Sequence, residues 1–70
     1  MKTIGEIIRE KRLDMGLTQF ELAEQLGVCQ TTIAGYEINR FVPNVLIAAD
    51  MADIFECSLD ELCGRKYEVY

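Results

Sequence analysis

Residues that end helices recur at short intervals along this chain and limit what it can fold into. Gly16, Gly27, the pair Asn39 and Pro43, and Gly64 divide its 70 residues into short segments, with no linker, repeat or low-complexity tract between them. Isolated helices shorter than about 12–15 residues are marginal in water, so each segment must be stabilised by packing against the others. The chain is therefore predicted to fold as one all-α domain, residues 1–64, built from five short helices.

Two capping boxes and a hydrophobic periodicity place these helices. Thr18 with Glu21, and Ser58 with Glu61, have the spacing in which a hydroxyl and a carboxylate each bind a backbone N–H at a helix start. Apolar residues at helical spacing mark the sides that face the core. The expected core-facing residues are Ile4, Ile7, Ile8, Lys11 (through its aliphatic stem), Met15, Leu22, Ala23, Leu26, Ile33, Tyr36, Val45, Ala48, Ala49, Ala52 and Phe55.

The second and third segments have the pattern of a helix-turn-helix. Gly27 ends the second helix, and only Val28 and Cys29 separate it from the next helical pattern. Two helices joined by a short turn that contains glycine are typical of this motif. Pro43 is expected to open the fourth helix. Residues 65–70 are expected to form a mobile tail or an edge pairing element, because residues 67–70 alternate as a strand does.

The charge distribution differs between the two halves of the chain. The net charge of −5 excludes a general binder of polyanions, because non-specific affinity for nucleic acid comes from Lys and Arg at phosphates. Residues 1–40 carry five basic and six acidic side chains, whereas residues 41–70 carry two basic and six acidic ones. The first half is therefore the one suited to a phosphate backbone, and the acidic second half is available to a protein partner.

Several functional classes are excluded by the composition. Cys29, Cys57 and Cys63 form no C-x-x-C pair and the chain has no histidine, so no metal or cofactor is expected, and a reducing cytoplasm is the expected location. Acidic Glu6 precedes any apolar run, so no signal peptide is expected, and no stretch approaches the roughly 18 apolar residues of a membrane span. Without a histidine, a glycine-rich phosphate loop, or a Ser or Cys beside a base, the chain is not expected to be an enzyme.

The order of motifs resembles a known family. Residues 17–28, residues 32–37, Pro43 and residues 58–62 follow one another in the register of the phage repressor and Cro class of helix-turn-helix proteins, the XRE family. The resemblance spans roughly residues 4–63. It implies a compact five-helix repressor-like domain that acts as a sequence-specific transcription regulator, a repressor, and that docks its third helix, about residues 30–37, in the major groove of operator DNA as a homodimer.

The resemblance also implies roles for individual residues. Gln19 begins the second helix, where free N–H groups favour a phosphate oxygen, and its side chain is also placed to brace Gln30. Gln30 opens the third helix, and a glutamine there can bind adenine N6 and N7. The alternative is that Gln19 and Gln30 are both ordinary solvated glutamines. Arg40 is the cation that the following loop offers to phosphate, and Asn39 suits a left-handed turn before it. The implied DNA-contacting set is Thr18, Gln19, Gln30, Thr31, Thr32, Ala34, Gly35, Asn39 and Arg40.

Arg12 and Glu37 match two family positions that form an ion pair between the first and third helices. Such a pair would satisfy the oxygens of Glu37 and screen its charge from phosphate. The alternative is that the two residues are independent surface charges.

The chain departs from the family pattern at two places. Gly35 stands where many relatives carry a long polar or basic side chain; it either lets the third helix approach the groove closely or has no effect. The other departure is an apolar set where relatives are polar, namely Ile38, Phe41, Val42 and Leu46. We interpret this set as the centre of a homodimer contact, with core packing of Val42 and Leu46 as the alternative. A second reading of the whole chain is a protein-binding module with this fold and no role on DNA.

Overall fold

The computed structural model describes residues 2–63, and these form five helices and no strand. The helices are α1 (Ile4–Asp14), α2 (Gln19–Leu26), α3 (Gln30–Glu37), α4 (Val45–Phe55) and α5 (Leu59–Leu62). The prediction of an all-α, five-helix domain is confirmed. The predicted tail, residues 65–70, with its strand-like alternation, lies outside the described residues.

Side-chain caps begin the helices much as the sequence predicts. The Thr18 hydroxyl accepts the backbone N–H of Glu21 at 3.0 Å, and Thr18 N donates to the Glu21 carboxylate at 2.9 Å. At α5 only half of the predicted box forms. The Ser58 hydroxyl accepts from Glu61 N, but the Glu61 carboxylate binds Lys11 Nζ of α1 at 3.0 Å instead. The carboxylate thus joins α5 to α1 rather than capping its own helix.

The first helix begins with a capping box that the sequence analysis missed. Thr3 N and the Thr3 hydroxyl both donate to the Glu6 carboxylate at 3.0 Å, and Glu6 N donates back to the hydroxyl at 3.2 Å. The two bonds from Thr3 stabilise the ionised carboxylate and hold the pKa of Glu6 below its usual value. The signal was present in the sequence as the same Thr-x-x-Glu spacing found at α2.

The fourth helix begins later than predicted and buries a different face. Asn44, not Pro43, is its cap, because the Asn44 side chain accepts the backbone N–H of Ile47 at 2.9 Å, and the proline lies one residue before this cap. Val45 and Ala49 are exposed, so their predicted place in the core is wrong. The buried residues fall three and four apart on one side of the helix, and they are Ala48, Met51, Ala52 and Phe55.

One apolar side chain from each helix is fully buried at the centre of the domain. These five are Ile8, Leu22, Ile33, Met51 and Leu62. Burying a side chain of this kind stabilises the fold by about 1.5–3 kcal/mol, so every short helix is held by the others as its length requires. Met15 was expected to face the core as well, but it lies past the end of α1 and is 43% exposed.

The start of α1 crosses the end of α3 at a glycine. A Cβ atom on Gly5 would overlap the backbone oxygens of Tyr36 and Glu37 and the side-chain oxygen of Asn39. Asn39 adopts the predicted left-handed conformation, with φ of 61°. Its side-chain oxygen accepts from Gly5 N at 3.0 Å and its amide group donates to the Thr3 hydroxyl at 2.9 Å. The end of α3 is therefore fixed to the first turn of α1.

Candidate nucleic-acid interface

The turn between α2 and α3 presents the beginning of α3 to solvent. Gly27 adopts a left-handed conformation with φ of 71°, and Val28 N bonds back to Ala23 O at 3.0 Å. Cys29 then caps α3 with its carbonyl alone, accepting from Thr32 N at 3.0 Å, and its side chain makes no capping bond. The first two residues of α3, Gln30 and Thr31, are exposed, so an amide and a hydroxyl lead this helix.

Arg12, Glu37 and Gln19 form one buried network behind that surface. Arg12 Nε and Nη2 donate to the two oxygens of Glu37 at 2.6 and 3.2 Å, and Arg12 Nη1 donates to Leu17 O at 2.8 Å. The side chains of Arg12 and Glu37 are only 9% and 5% exposed. The pair that the resemblance implies is therefore brought together as a two-pronged contact, and the alternative of two independent surface charges is wrong.

Gln19 adds the second helix to this network. Its side-chain Nε2 donates to Glu37 Oε1 at 3.1 Å. The carboxylate of Glu37 therefore accepts hydrogen bonds from α1, through Arg12, and from α2, through Gln19. Gln19 is thus half-buried against Glu37 and does not brace Gln30 as expected. The network fixes the position of α3 relative to α1 and α2. Within residues 2–63, the exposed side chains of Gln30 and Thr31 at the start of α3 make no hydrogen bond.

Arg40 lies in the loop that follows α3, residues 38–44, hereafter the α3–α4 loop. Its backbone N–H donates to Gly35 O at 2.8 Å, which holds the loop against the end of α3, and its side chain is exposed. Within residues 2–63, Lys2, Lys11 and Arg12 each pair with a carboxylate, whereas Arg9 and Arg40 do not. Arg40 is therefore a cation beside the end of α3 that has no carboxylate partner among residues 2–63.

Besides Gln19, three predicted contact residues have contacts within the fold. Gly35 is buried beneath the ring of Phe41, so the expectation that it lies on the groove-facing side of α3 is wrong. The side chain of Asn39 binds Thr3 and Gly5, and that of Thr18 caps α2. Of the rest of the expected set, Gln30, Thr31 and Arg40 are exposed, whereas Gln19, Thr32 and Ala34 are only partly exposed.

An exposed apolar patch covers the α3–α4 loop and the first turn of α4. Val42 and Leu46 are each 74% exposed, so the alternative in which they pack into the core is wrong. Val45, predicted to be internal, joins them at 67% exposure. We use the name apolar patch for Ile38, Phe41, Val42, Val45 and Leu46. Exposed patches of large apolar side chains on small domains are typical of interaction surfaces.

The remainder of the surface offers little other chemistry. Residues 41–63 carry five acidic side chains and no basic one. No group of His, Cys, Asp or Glu within residues 2–63 could hold a metal ion, and no helix in that stretch is long and apolar enough to cross a membrane. The three cysteines are free thiols, and partial burial raises the pKa of Cys57.

Comparison with known proteins agrees with this geometry. A helix-turn-helix family model, HTH_3, matches residues 8–62, from within α1 to the end of α5. The chain is 34% identical over 62 residues to the cryptic phage CTXphi transcriptional repressor RstR of Vibrio cholerae, and this match covers 89% of the chain. It spans 55% of that relative, so the chain accounts for about half of its length.

Two solved structures share the fold over most of this chain. The P22 c2 repressor protein, in complex with a synthetic operator, superposes with a TM-score of 0.87 and 26% identity, covering 94% of this chain and all of that chain. The biofilm master regulator SinR, in complex with DNA, superposes with a TM-score of 0.79 and 26% identity, covering 86% of this chain and 97% of that one. Both of these relatives were solved while bound to DNA.

Proposed function

Because the chain belongs to the helix-turn-helix family, we propose that it is a sequence-specific double-stranded DNA-binding transcription regulator, a repressor. The observation that carries this proposal is the division of α3 into two sides. Its inner side is tied to α1 and α2 through Glu37, whereas the exposed side chains of Gln30 and Thr31 at its beginning make no hydrogen bond to the other described residues. A helix fixed in this way fits into a major groove and can present the side chains at its beginning to the base edges.

The proposed mechanism separates reading from positioning. Gln30 reads an adenine through its N6 and N7 atoms, and the methyl and hydroxyl groups of Thr31 and Thr32 meet a thymine methyl or a phosphate. Arg40 contacts phosphate from the α3–α4 loop, and Gln19 brings the start of α2 to the backbone. Because the described residues offer few unpaired cations, affinity rests largely on base contacts and is modest on random sequence.

We propose that two copies pair through the apolar patch. A repressor of this class places its two third helices in successive major grooves, so the half-sites lie about 34–36 Å apart, one turn of the duplex. The patch begins directly after α3 and therefore lies where pairing fixes the spacing of two such helices. A regulator that binds operator DNA works in the cytoplasm beside that DNA, where the acidic surface of residues 41–63 stays available to a protein partner.

Selection of bound sequences from a random duplex pool tests this function. We expect a two-fold symmetric site with half-sites one turn apart, bound more weakly as salt rises because phosphate contacts release counterions. The measurement is fluorescence anisotropy of the selected duplex at two salt concentrations, with a shuffled duplex as control. No preference over the shuffled duplex at low salt, or a single unrepeated half-site, contradicts the proposal. An acidic protein-binding module would select no sequence.

Two alanine variants separate the two kinds of contact. Gln30→Ala is expected to relax preference at one base pair of each half-site and to cost about 1–3 kcal/mol on the selected duplex. Arg40→Ala is expected to weaken binding to all sequences alike and to flatten the salt dependence by about one unit per protomer. Repeating the selection with each variant measures the first effect, and titration against salt measures the second. A selected sequence unchanged by Gln30→Ala would mean that another residue reads that base pair.

A further inference from the structure

The ring of Phe41 occupies the space where Gly35 has no side chain. A Cβ atom built on Gly35 would overlap ring atoms Cδ2 and Cε2 of Phe41. Gly35 lies inside α3, at φ values that any residue adopts, so backbone geometry does not demand a glycine here. Glycine also disfavours a helix relative to alanine. The packing of the ring is therefore the reason that the structure gives for glycine at this position.

The same glycine also holds the backbone of the α3–α4 loop. Its carbonyl oxygen accepts from Arg40 N at 2.8 Å and from Phe41 N at 3.4 Å. Gly35 thus holds two successive residues of the loop. Its carbonyl oxygen binds the backbone N–H groups of Arg40 and Phe41, and its Cα lies beneath the ring of Phe41. The first carries the cation beside α3, and the second belongs to the apolar patch.

We propose that Phe41, seated on Gly35, is a positioning residue that sets both the phosphate contact of Arg40 and the pairing surface relative to α3. The proposal rests on the proposed function and extends it. The ring is 50% exposed: one edge packs on α3 and the rest faces outward within the apolar patch. A second copy that covers the outer part of the ring holds its inner edge on Gly35. Pairing and DNA binding therefore favour the same position of one side chain and strengthen each other.

A melting-temperature cycle without DNA tests the contact itself. In a Phe41→Ala background, Gly35→Ala is expected to raise the melting temperature by roughly 4–8 °C, because alanine favours the helix and no ring opposes it. In the otherwise unchanged chain the same substitution expels the ring and gives no such rise. Phe41→Tyr, which keeps the ring, should behave as the unchanged chain. An equal rise in both backgrounds overturns the proposal.

The salt dependence of binding to the selected duplex tests the positioning role. Gly35→Ala and Phe41→Ala are each expected to flatten the slope of log K against log salt by roughly 0.9 for each phosphate contact that is lost, as Arg40→Ala does, and to add nothing when combined with Arg40→Ala. Leu13→Ala is the matched control: it removes another exposed apolar side chain, one that lies outside the apolar patch, and should keep the full slope. A full slope for Gly35→Ala and Phe41→Ala overturns the positioning role.

The two failures are distinguishable. If neither the unchanged chain nor any variant selects a duplex, the proposed function fails. The melting cycle still tests the contact of Phe41 with Gly35 in that case. If the unchanged chain selects a site and Arg40→Ala flattens its slope, but the Gly35 and Phe41 variants do not, only the further inference fails.

Discussion

Replacing Arg12 with methionine is expected to lower the free energy of unfolding by about 3–5 kcal/mol, because it leaves the Glu37 carboxylate buried without its charged partner. On a scale of about 0.05–0.15 kcal/mol per residue, a domain of this size has only about 3.5–10 kcal/mol in total, so the loss is a large fraction of its stability. Glu37→Leu should cost a similar amount, since it leaves the guanidinium of Arg12 unpaired. Urea unfolding followed by circular dichroism measures both variants.

The double variant Arg12→Met/Glu37→Leu should recover much of that loss. Removing both charges leaves no buried ion to desolvate, and apolar replacements of buried pairs are often neutral in other proteins. The pair of Lys11 with Glu61 is the control, because it is exposed, and exposed pairs contribute about 0–1 kcal/mol. Equal and additive losses in the Arg12 and Glu37 cycle would mean that the two charges act independently. Even the recovered double variant should bind DNA poorly, because Gln19 loses its acceptor on α3.

Among the glycines of residues 2–63, Gly5 is expected to be the one at which exchange for alanine is most harmful. The added methyl would overlap backbone oxygens of Tyr36 and Glu37, which cannot turn aside as a side chain can. Overpacking costs about 1–3 kcal/mol and occasionally more, and here it should exceed the roughly 1 kcal/mol that alanine gains in helix propensity. Because α1 must move away from the end of α3, the hydrogen bond from Gly5 N to Asn39 should also be lost.

The matched control for Gly5→Ala is Gly35, the other glycine that lies inside a helix of residues 2–63. At Gly35 the added methyl meets a half-exposed ring that can swing out, so the substitution should be milder. Melting curves of the two variants give the comparison directly. A Gly5→Ala variant as stable as the unchanged chain would show that α1 and α3 can separate at this point without cost.

Local signals in the sequence predicted the helices well. Thr18 with Glu21, and the glycine at position 27, specify where α2 starts and stops, because caps and left-handed turns depend on residues within one turn of the chain. The pairing of Arg12 with Glu37 was available only through the family resemblance. Nothing local indicates that two residues 25 positions apart meet.

The sequence was a poorer guide to which residues of a helix are buried and which are exposed. Val45 was predicted to be buried and is exposed, whereas Met51 was not among the predicted core residues and is fully buried. An alanine-rich helix shows no single apolar stripe, so its packing partners decide which face is buried. Gly35 was placed on the groove side because its register alone suggested it. Its burial depends on the ring of Phe41, which packs on it from the α3–α4 loop. Because Phe41 lies outside the helix, the helical periodicity of the sequence does not predict this contact.

The hydrogen bonds of Asn39 also bear on the motions of the domain. The first turn of a helix opens more readily than its middle, because its N–H groups lack partners within the helix. In this chain that turn and its cap hold Asn39 through Gly5 and Thr3, so we expect each local opening to release the left-handed turn that precedes Arg40. Fraying at the start of α1 thus reaches a loop 34 residues further along the chain. The first turn of α1 and the proposed phosphate-binding loop are therefore expected to open together.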